Sequence, residues 1–87
     1  MKEYPDHIRF DGMPEICALV REEHQKQFKK WGIQKRTLFE WLCYLTEEVG
    51  ELAEAIAENE YRNGDIEEVK KEAIQVAALA FKIINNI

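Results

Sequence analysis

The chain has 87 residues, of which 12 are basic and 17 acidic, so its formal net charge at pH 7 is −5. A hydrophobic content of 46% with 33% charged residues is typical of a soluble folded domain and excludes a disordered chain. The acidic balance argues against broad binding to nucleic acid or to an anionic membrane, and no apolar run approaches the roughly 18 residues that span a bilayer. We therefore expect neither a nucleic-acid partner nor a membrane partner.

The cysteines and the N-terminus indicate the compartment. Residues 1–6 lack the apolar core of a signal peptide, and Cys17 and Cys43 form no CxxC motif. We interpret both cysteines as buried free thiols of a cytoplasmic protein. A chain of this length buries only about 60–65% of its unfolded surface. We therefore expect the fold to need a second copy of the chain, as a homodimer or a tetramer.

The first part of the chain divides into an arm and a helix. Residues 1–12 show no helical periodicity and predict an irregular N-terminal arm, whereas residues 13–87 predict a single all-α domain. A first helix is expected to begin near Pro14, since proline is tolerated in the first turn, and to end near Gly32. Its apolar stripe, at three- and four-residue spacing, comprises Met13, Cys17, Val20, His24, Phe28 and Trp31.

Two further helices follow, each introduced by a capping-box pattern. Thr37 with Glu40 predicts the start of the second helix, which should end near Tyr61, before an Asn-Gly-Asp turn. Asp65 with Glu68 predicts the start of the third. The second apolar stripe comprises Leu38, Trp41, Leu42, Leu45, Val49, Leu52 and Ile56, and the third comprises Val69, Ala73, Val76, Ala80 and Ile83. No segment predicts a strand, so the expected fold class is all-α.

Several acidic side chains lie at the edges of these stripes. At about 100° per residue, Glu48 lies only about 70° from the centre of the second stripe, and Glu51 lies about 60° further round. Glu72 lies about 60° from the centre of the third stripe, and Gln75 follows one turn later. Gathering carboxylates in a poorly solvated seam costs free energy unless a cation compensates, and Mg²⁺ or Mn²⁺ suits such oxygen ligands. The alternative is that these glutamates form an ordinary solvated helix face.

The same residues carry a family motif. The segment Glu47-Glu48-Val49-Gly50-Glu51 resembles the EExxE motif of the MazG-like all-α nucleoside triphosphate pyrophosphohydrolases, and Glu72-Ala73-Ile74-Gln75 stands where that family has ExxD. Residues 27–32 are similar to a Trp-Gly segment of small, phage-type members, and the resemblance covers about residues 21–84. Gln75 departs from the pattern because it offers a neutral amide oxygen where the family has a carboxylate. The departure predicts weaker metal binding or fewer ions.

The resemblance implies a fold, an activity and a cofactor. The fold is a three-helix antiparallel protomer that completes a four-helix-type bundle by homo-oligomerisation. The activity is the Mg²⁺-dependent hydrolysis of a nucleoside or deoxynucleoside triphosphate to the monophosphate and pyrophosphate, with Mn²⁺ as a possible substitute. The implied metal ligands are Glu48, Glu51 and Glu72, with Gln75 at the fourth position. The implied catalytic residues are Glu47 and Glu48.

Residues outside the motif are candidates for binding the nucleotide substrate. Phosphates need cationic contacts, for which the available residues are Lys29, Lys30, Lys35, Arg36 and Lys82. Trp31 or Phe28 is a candidate for stacking on the base. Each has a simpler interpretation: the lysines as solvated or dipole-complementing charges, and Trp31, like Trp41, as a core residue.

Two alternatives to an active enzyme stay open. One is a catalytically weakened or inactive nucleotide- or metal-binding module of the same fold, which the amide of Gln75 favours. The other is a purely structural helical oligomer, whose melting temperature and assembly would not respond to Mg²⁺.

Overall fold

The computed structural model describes residues 12–87 and contains three α-helices. They are α1 (Met13–Trp31), α2 (Leu38–Arg62) and α3 (Ile66–Asn85). Residues 12–87 contain no strand, so the all-α prediction is confirmed. The predicted N-terminal arm lies outside the described residues, except for Gly12, which directly precedes α1. Within the described part of the chain, each helix is too short or too polar to cross a membrane.

The beginning of α2 is fixed by local hydrogen bonds. The hydroxyl of Thr37 accepts from the backbone amide of Glu40 over 3.1 Å, and the Glu40 carboxylate accepts from the backbone amide of Thr37 over 2.9 Å. These two bonds form the predicted capping box and satisfy two amides that the first turn leaves unpaired. The sequence therefore places the N-terminus of α2 correctly.

The turn between α2 and α3 reverses the chain within three residues. Asn63 adopts a left-handed conformation with φ of 59°, and the amide of Gly64 donates to the carbonyl of Glu58 over 2.8 Å. Asp65 caps α3, but its carboxylate accepts from the amide of Glu67 and does not form the predicted box with Glu68. The tight turn makes α2 and α3 antiparallel neighbours.

Helix α3 lies between the other two helices. It packs against α2 on one side and against α1 on the other, whereas no Cα atom of α1 lies within 8 Å of one in α2. Leu19 of α1 lines one groove with Ile74 of α3, and eight residues later in both helices Gln27 contacts Lys82. The two helices therefore run in the same direction. The radius of gyration is 14.8 Å, against about 12 Å for a compact domain of this length. The helices thus form an open arrangement.

Because the arrangement is open, few apolar residues are fully buried. The buried apolar residues are Val20, Trp41, Ala78 and Leu79. In the predicted stripe of α1, Val20 is buried and His24 is half-buried. The prediction is wrong for Phe28, which is 59% exposed, and for Trp31, which is 53% exposed. The physical reason is that α3 alone approaches the backbone of α1 closely, and it covers a narrow face of that helix.

The predicted apolar stripe of α2 divides into two sides. Trp41 is buried, and Leu45 and Leu52 are half-buried. The exposed side comprises Leu38, Leu42, Val49 and Ile56, whose exposed fractions lie between 38% and 48%. We call this second set the outer stripe of α2. None of the described helices covers it.

Both cysteines are free, and both are exposed. The prediction of buried thiols at Cys17 and Cys43 is therefore wrong. Helical periodicity placed Cys17 on the apolar face of α1, but that face is only partly covered by α3.

Candidate functional site

Three carboxylates meet between α2 and α3. Glu48 and Glu51 lie one turn apart on α2, and Glu72 approaches from α3. One carboxylate oxygen from each residue lies within 4.8 Å of the corresponding oxygens of the other two. Glu48 and Glu72 are half-buried and Glu51 is exposed. The structure thus brings together the residues that the sequence placed at the edges of two stripes, and we call them the acidic triad.

The proximity of these carboxylates changes the proton affinity of one of them. Burial in the first place, and then a hydrogen bond with Glu72 and repulsion from Glu51, raise the pKa of Glu48 from 4.5 to about 7. The neutral form of Glu48 therefore persists to a higher pH than that of an isolated glutamate when no cation is bound. A cation at the triad would favour the ionised form and lower this pKa.

Gln75 completes the group of side chains around the triad. Its side-chain amide lies 2.8 Å from Oε2 of Glu48 and 3.1 Å from Oε2 of Glu72. Because carboxylates accept hydrogen bonds, the amide presents its nitrogen and donates to both. Gln75 is therefore at the predicted fourth position, but it acts there as a donor. To serve as a metal ligand, it would have to present its oxygen instead.

The donor set of the acidic triad fits a hard divalent cation. Mg²⁺ binds oxygen ligands at about 2.0–2.1 Å, so the ligands of one ion lie closer together than the 4.8 Å limit of this cluster. The three carboxylates could hold such an ion after small side-chain movements. Within residues 12–87, Glu48, Glu51 and Glu72 form a cluster that could hold a metal ion.

A cavity of about 350 Å³ adjoins the triad, and Glu48 lines it. We call it the Trp41 cavity. Its other lining residues are Gln27, Trp31, Gln34, Arg36, Trp41, Tyr44, Glu47, Leu79 and Lys82. Three predicted site residues outside the triad, namely Glu47, Trp31 and Lys82, therefore face the same space. The cavity combines aromatic walls with two cationic side chains, next to the carboxylates.

The predicted cationic residues occupy different places. Lys82 is half-buried in the wall of the Trp41 cavity, where it donates a hydrogen bond to the side chain of Gln27. Burial lowers the pKa of its ammonium group. Lys29 lines a separate surface groove, and the ammonium of Lys30 lies 4.7 Å from the ring centroid of Trp31. The structure therefore brings Lys82 to the cavity, but not Lys29 or Lys30.

Two residues of the cavity wall were not singled out as site residues: Arg36, which was one of five basic residues available for phosphate contacts, and Trp41, which was predicted as core. Arg36 lies in the loop before α2, with its guanidinium 4.8 Å from the ring centroid of Tyr44. Trp41 is buried, as the sequence predicted, but it also lines the cavity.

Comparison with known proteins assigns no family. No family model matches the chain, and no curated protein or solved structure is significantly similar to it. The fold and the site define an all-α three-helix protein with an acidic triad that could hold a metal ion. The resemblance to the MazG-like family thus rests on the motif residues and stays a prediction.

Proposed function

We propose that this protein is a Mg²⁺-dependent hydrolase of a nucleoside or deoxynucleoside triphosphate, as the MazG-like motif implies. The observation that supports the proposal is the acidic triad, which borders a cavity lined by aromatic and cationic side chains. Carboxylates alone are compatible with many functions. A cation site beside an aromatic and cationic cavity is suited to a nucleotide, which has both a polyphosphate and a base.

In the proposed reaction, water adds to the α-phosphorus while the bond to the bridging oxygen breaks. The products are the monophosphate and pyrophosphate. Mg²⁺ or Mn²⁺, when bound, neutralises charge on the phosphate oxygens. Glu48, Glu51 and Glu72 would hold the ion. Glu47 is exposed on the wall of the Trp41 cavity and is our candidate for accepting the proton of the attacking water.

The Trp41 cavity is the proposed place for the rest of the nucleotide. Trp31 is half-exposed there and offers a face on which a base can stack. Lys82 supplies a cation in the same cavity. Lys29 and Lys30 lie outside it and are at most contacts for a part of the substrate that projects into solvent.

A second candidate function is a nucleotide- or metal-binding module without turnover. The observation that favours it is the pair of hydrogen bonds from Gln75 to Glu48 and Glu72. These two hydrogen bonds satisfy one carboxylate oxygen each of Glu48 and Glu72 without a bound cation. In this alternative, the missing fourth carboxylate leaves the site too weak for catalysis.

The decisive experiment measures pyrophosphate release from a panel of ribo- and deoxyribonucleoside triphosphates with Mg²⁺ or Mn²⁺. We expect turnover of at least one substrate and a loss of about 100-fold or more in Glu48→Gln and Glu72→Gln. Glu60→Gln is a matched control, because Glu60 is an exposed residue of the same helix, away from the triad. A folded protein with no turnover on the whole panel would exclude the enzyme and leave the binding module.

We further propose that a second copy of the chain covers the outer stripe of α2. Leu42, Val49 and Ile56 recur every seven residues, which is the spacing of a helix–helix seam. The open arrangement and small core leave the chain with little apolar burial of its own. Light scattering should show a dimer or tetramer that Leu42→Glu dissociates, while Ile33→Glu, in an exposed loop position, leaves it intact.

A further inference from the structure

Two buried nitrogen atoms in the wall of the Trp41 cavity lack hydrogen-bond partners among the described residues. They are Nε1 of Trp41 and Nε of Arg36. Trp41 is only 4% exposed, and both residues line the cavity. Indole and guanidinium N–H groups can only donate, and buried donors without acceptors are rare because they destabilise the fold. Residues 12–87 thus leave two donors at this wall without acceptors, and a ligand oxygen would reach them only after neighbouring side chains move.

The same wall carries two positive charges. The Lys82 ammonium lies 5.1 Å from the ring centroid of Trp41, and the Arg36 guanidinium packs over the neighbouring ring of Tyr44. Arg36 approaches the carboxylate of Glu40 only to 3.9 Å. Lys82 makes no ion pair within residues 12–87. Glu23 acts on Lys82 electrostatically, and Glu47 and Glu48 line the same cavity, so the two cations are weakly paired but have carboxylates nearby.

We propose that Arg36, Trp41 and Lys82 together bind phosphate oxygens of a polyphosphate ligand. The inference rests on the proposed function, because it takes this ligand to be the triphosphate of the substrate. An oxyanion supplies the missing acceptors and neutralises both cations. Arginine is well suited to this contact, since its planar guanidinium donates to two phosphate oxygens at once.

The position of the wall agrees with such a ligand. Glu48 lines the same cavity and also belongs to the acidic triad. One polyphosphate chain can therefore contact the wall at one end and the cation held by the triad at the other. Burial lowers the pKa of Lys82, and an anion beside it would favour its charged form.

A nucleobase in contact with these three residues is the competing occupant. Its carbonyl oxygens can also accept from the indole N–H of Trp41. It is uncharged, however, so it would add nothing to the weak compensation that Glu40 gives Arg36 and Glu23 gives Lys82 in this half-buried place. Charge therefore favours the phosphates, and the base is left to the more exposed Trp31.

The test is the affinity for inorganic triphosphate in the presence of Mg²⁺, measured by calorimetry on the whole chain. This probe has no base, so it reports on phosphate contacts alone. We expect Arg36→Gln to weaken binding by about tenfold or more, and Trp41→Phe to weaken it by about fivefold. Lys35→Gln is the matched control, because Lys35 is exposed and does not line the cavity. Its affinity should stay within about twofold of the parent protein.

The outcomes separate this inference from the proposed function. Circular dichroism melts confirm that each variant is folded, and Arg36→Gln keeps the test valid even where Trp41→Phe is unstable. The inference would be overturned if Arg36→Gln and Lys35→Gln weakened triphosphate binding equally. It would also be overturned if an unphosphorylated nucleoside bound to the protein in a way that depended on Arg36. Arg36-dependent triphosphate binding without any hydrolysis would instead uphold the inference and refute the enzyme.

Discussion

The side-chain amide of Gln75 on α3 donates a hydrogen bond to Oε2 of Glu48 on α2, over a distance of 2.8 Å. A neutral donor thus stands at the position where the MazG-like motif has a carboxylate. This hydrogen bond links α2 and α3 without a bound ion. The site has one negative charge fewer than it would have with the carboxylate of the family motif. This contact determines how the site should respond to metal ions, to protons and to substitution.

Mg²⁺ should stabilise the folded protein through the acidic triad. A ligand that binds only the folded state at ten times its Kd contributes about 1.4 kcal/mol, which for a domain of this size raises the Tm by about 5–10 °C. The shift should disappear in Glu72→Gln and persist in Glu60→Gln, measured by differential scanning fluorimetry. If the Tm does not respond to Mg²⁺ or Mn²⁺ at any concentration, the chain is a structural helical oligomer and not a metal protein.

The metal-free protein should lose stability as the pH rises towards neutrality. The pKa of Glu48 is about 7 in the folded chain against an ordinary value of 4.5. Between these values, the folded state keeps a proton that the unfolded state has released, so the free energy of unfolding falls with rising pH. The groups that face Glu48 are the carboxylates of Glu51 and Glu72 and the amide of Gln75.

Urea unfolding measures this pH dependence. The midpoint should be lower at about pH 8 than at about pH 5.5 in a chelating buffer, and Glu48→Gln should reduce the difference. Adding Mg²⁺ at about pH 8 should recover the lost stability, because the cation favours the ionised carboxylates. Equal midpoints at both pH values would mean that the carboxylates do not interact in solution.

Gln75→Asp should tighten Mg²⁺ binding roughly tenfold, because it adds a negatively charged oxygen ligand. The same change should destabilise the metal-free protein, since four carboxylates would then share one seam. Calorimetric titration with Mg²⁺ checks the affinity, and Gln75→Leu serves as a control that removes the amide without adding charge. A gain of pyrophosphate release in Gln75→Asp would identify a weakened enzyme, whereas tighter metal binding without turnover would favour the binding module.

Gly64→Ala should destabilise the protein by about 1–3 kcal/mol. A Cβ at this position would lie 2.9 Å from the backbone carbon of Glu58, which is too close for the turn to keep its shape. The turn sets the register of α2 against α3, so Mg²⁺ affinity should fall as well. Asn63→Gly is the matched control, because glycine adopts the positive φ of that position readily. Equal melting temperatures of Gly64→Ala and Asn63→Gly would contradict this account.

Local patterns in the sequence determined the helices and the composition of the triad. Thr37 and Glu40 satisfy each other's backbone amides within one turn, so the start of α2 needs no distant contact. The 3.6-residue period places Glu48 and Glu51 on one side of α2 wherever that helix lies. The sequence could therefore indicate that these two carboxylates lie together before any packing was known, whereas their approach to Glu72 depends on the packing of α2 against α3.

Only the tertiary structure decided which faces are covered and which side chains share a cavity. Phe28 lies on the apolar face of α1 yet is exposed, because α3 alone approaches the backbone of α1 closely. Arg36 and Lys82 lie far apart in the sequence, but both line the Trp41 cavity, which forms where the loop before α2 meets the end of α3. Helical periodicity is a property of one helix, whereas burial and cavities depend on the distances between helices, and those are set by packing across the whole fold.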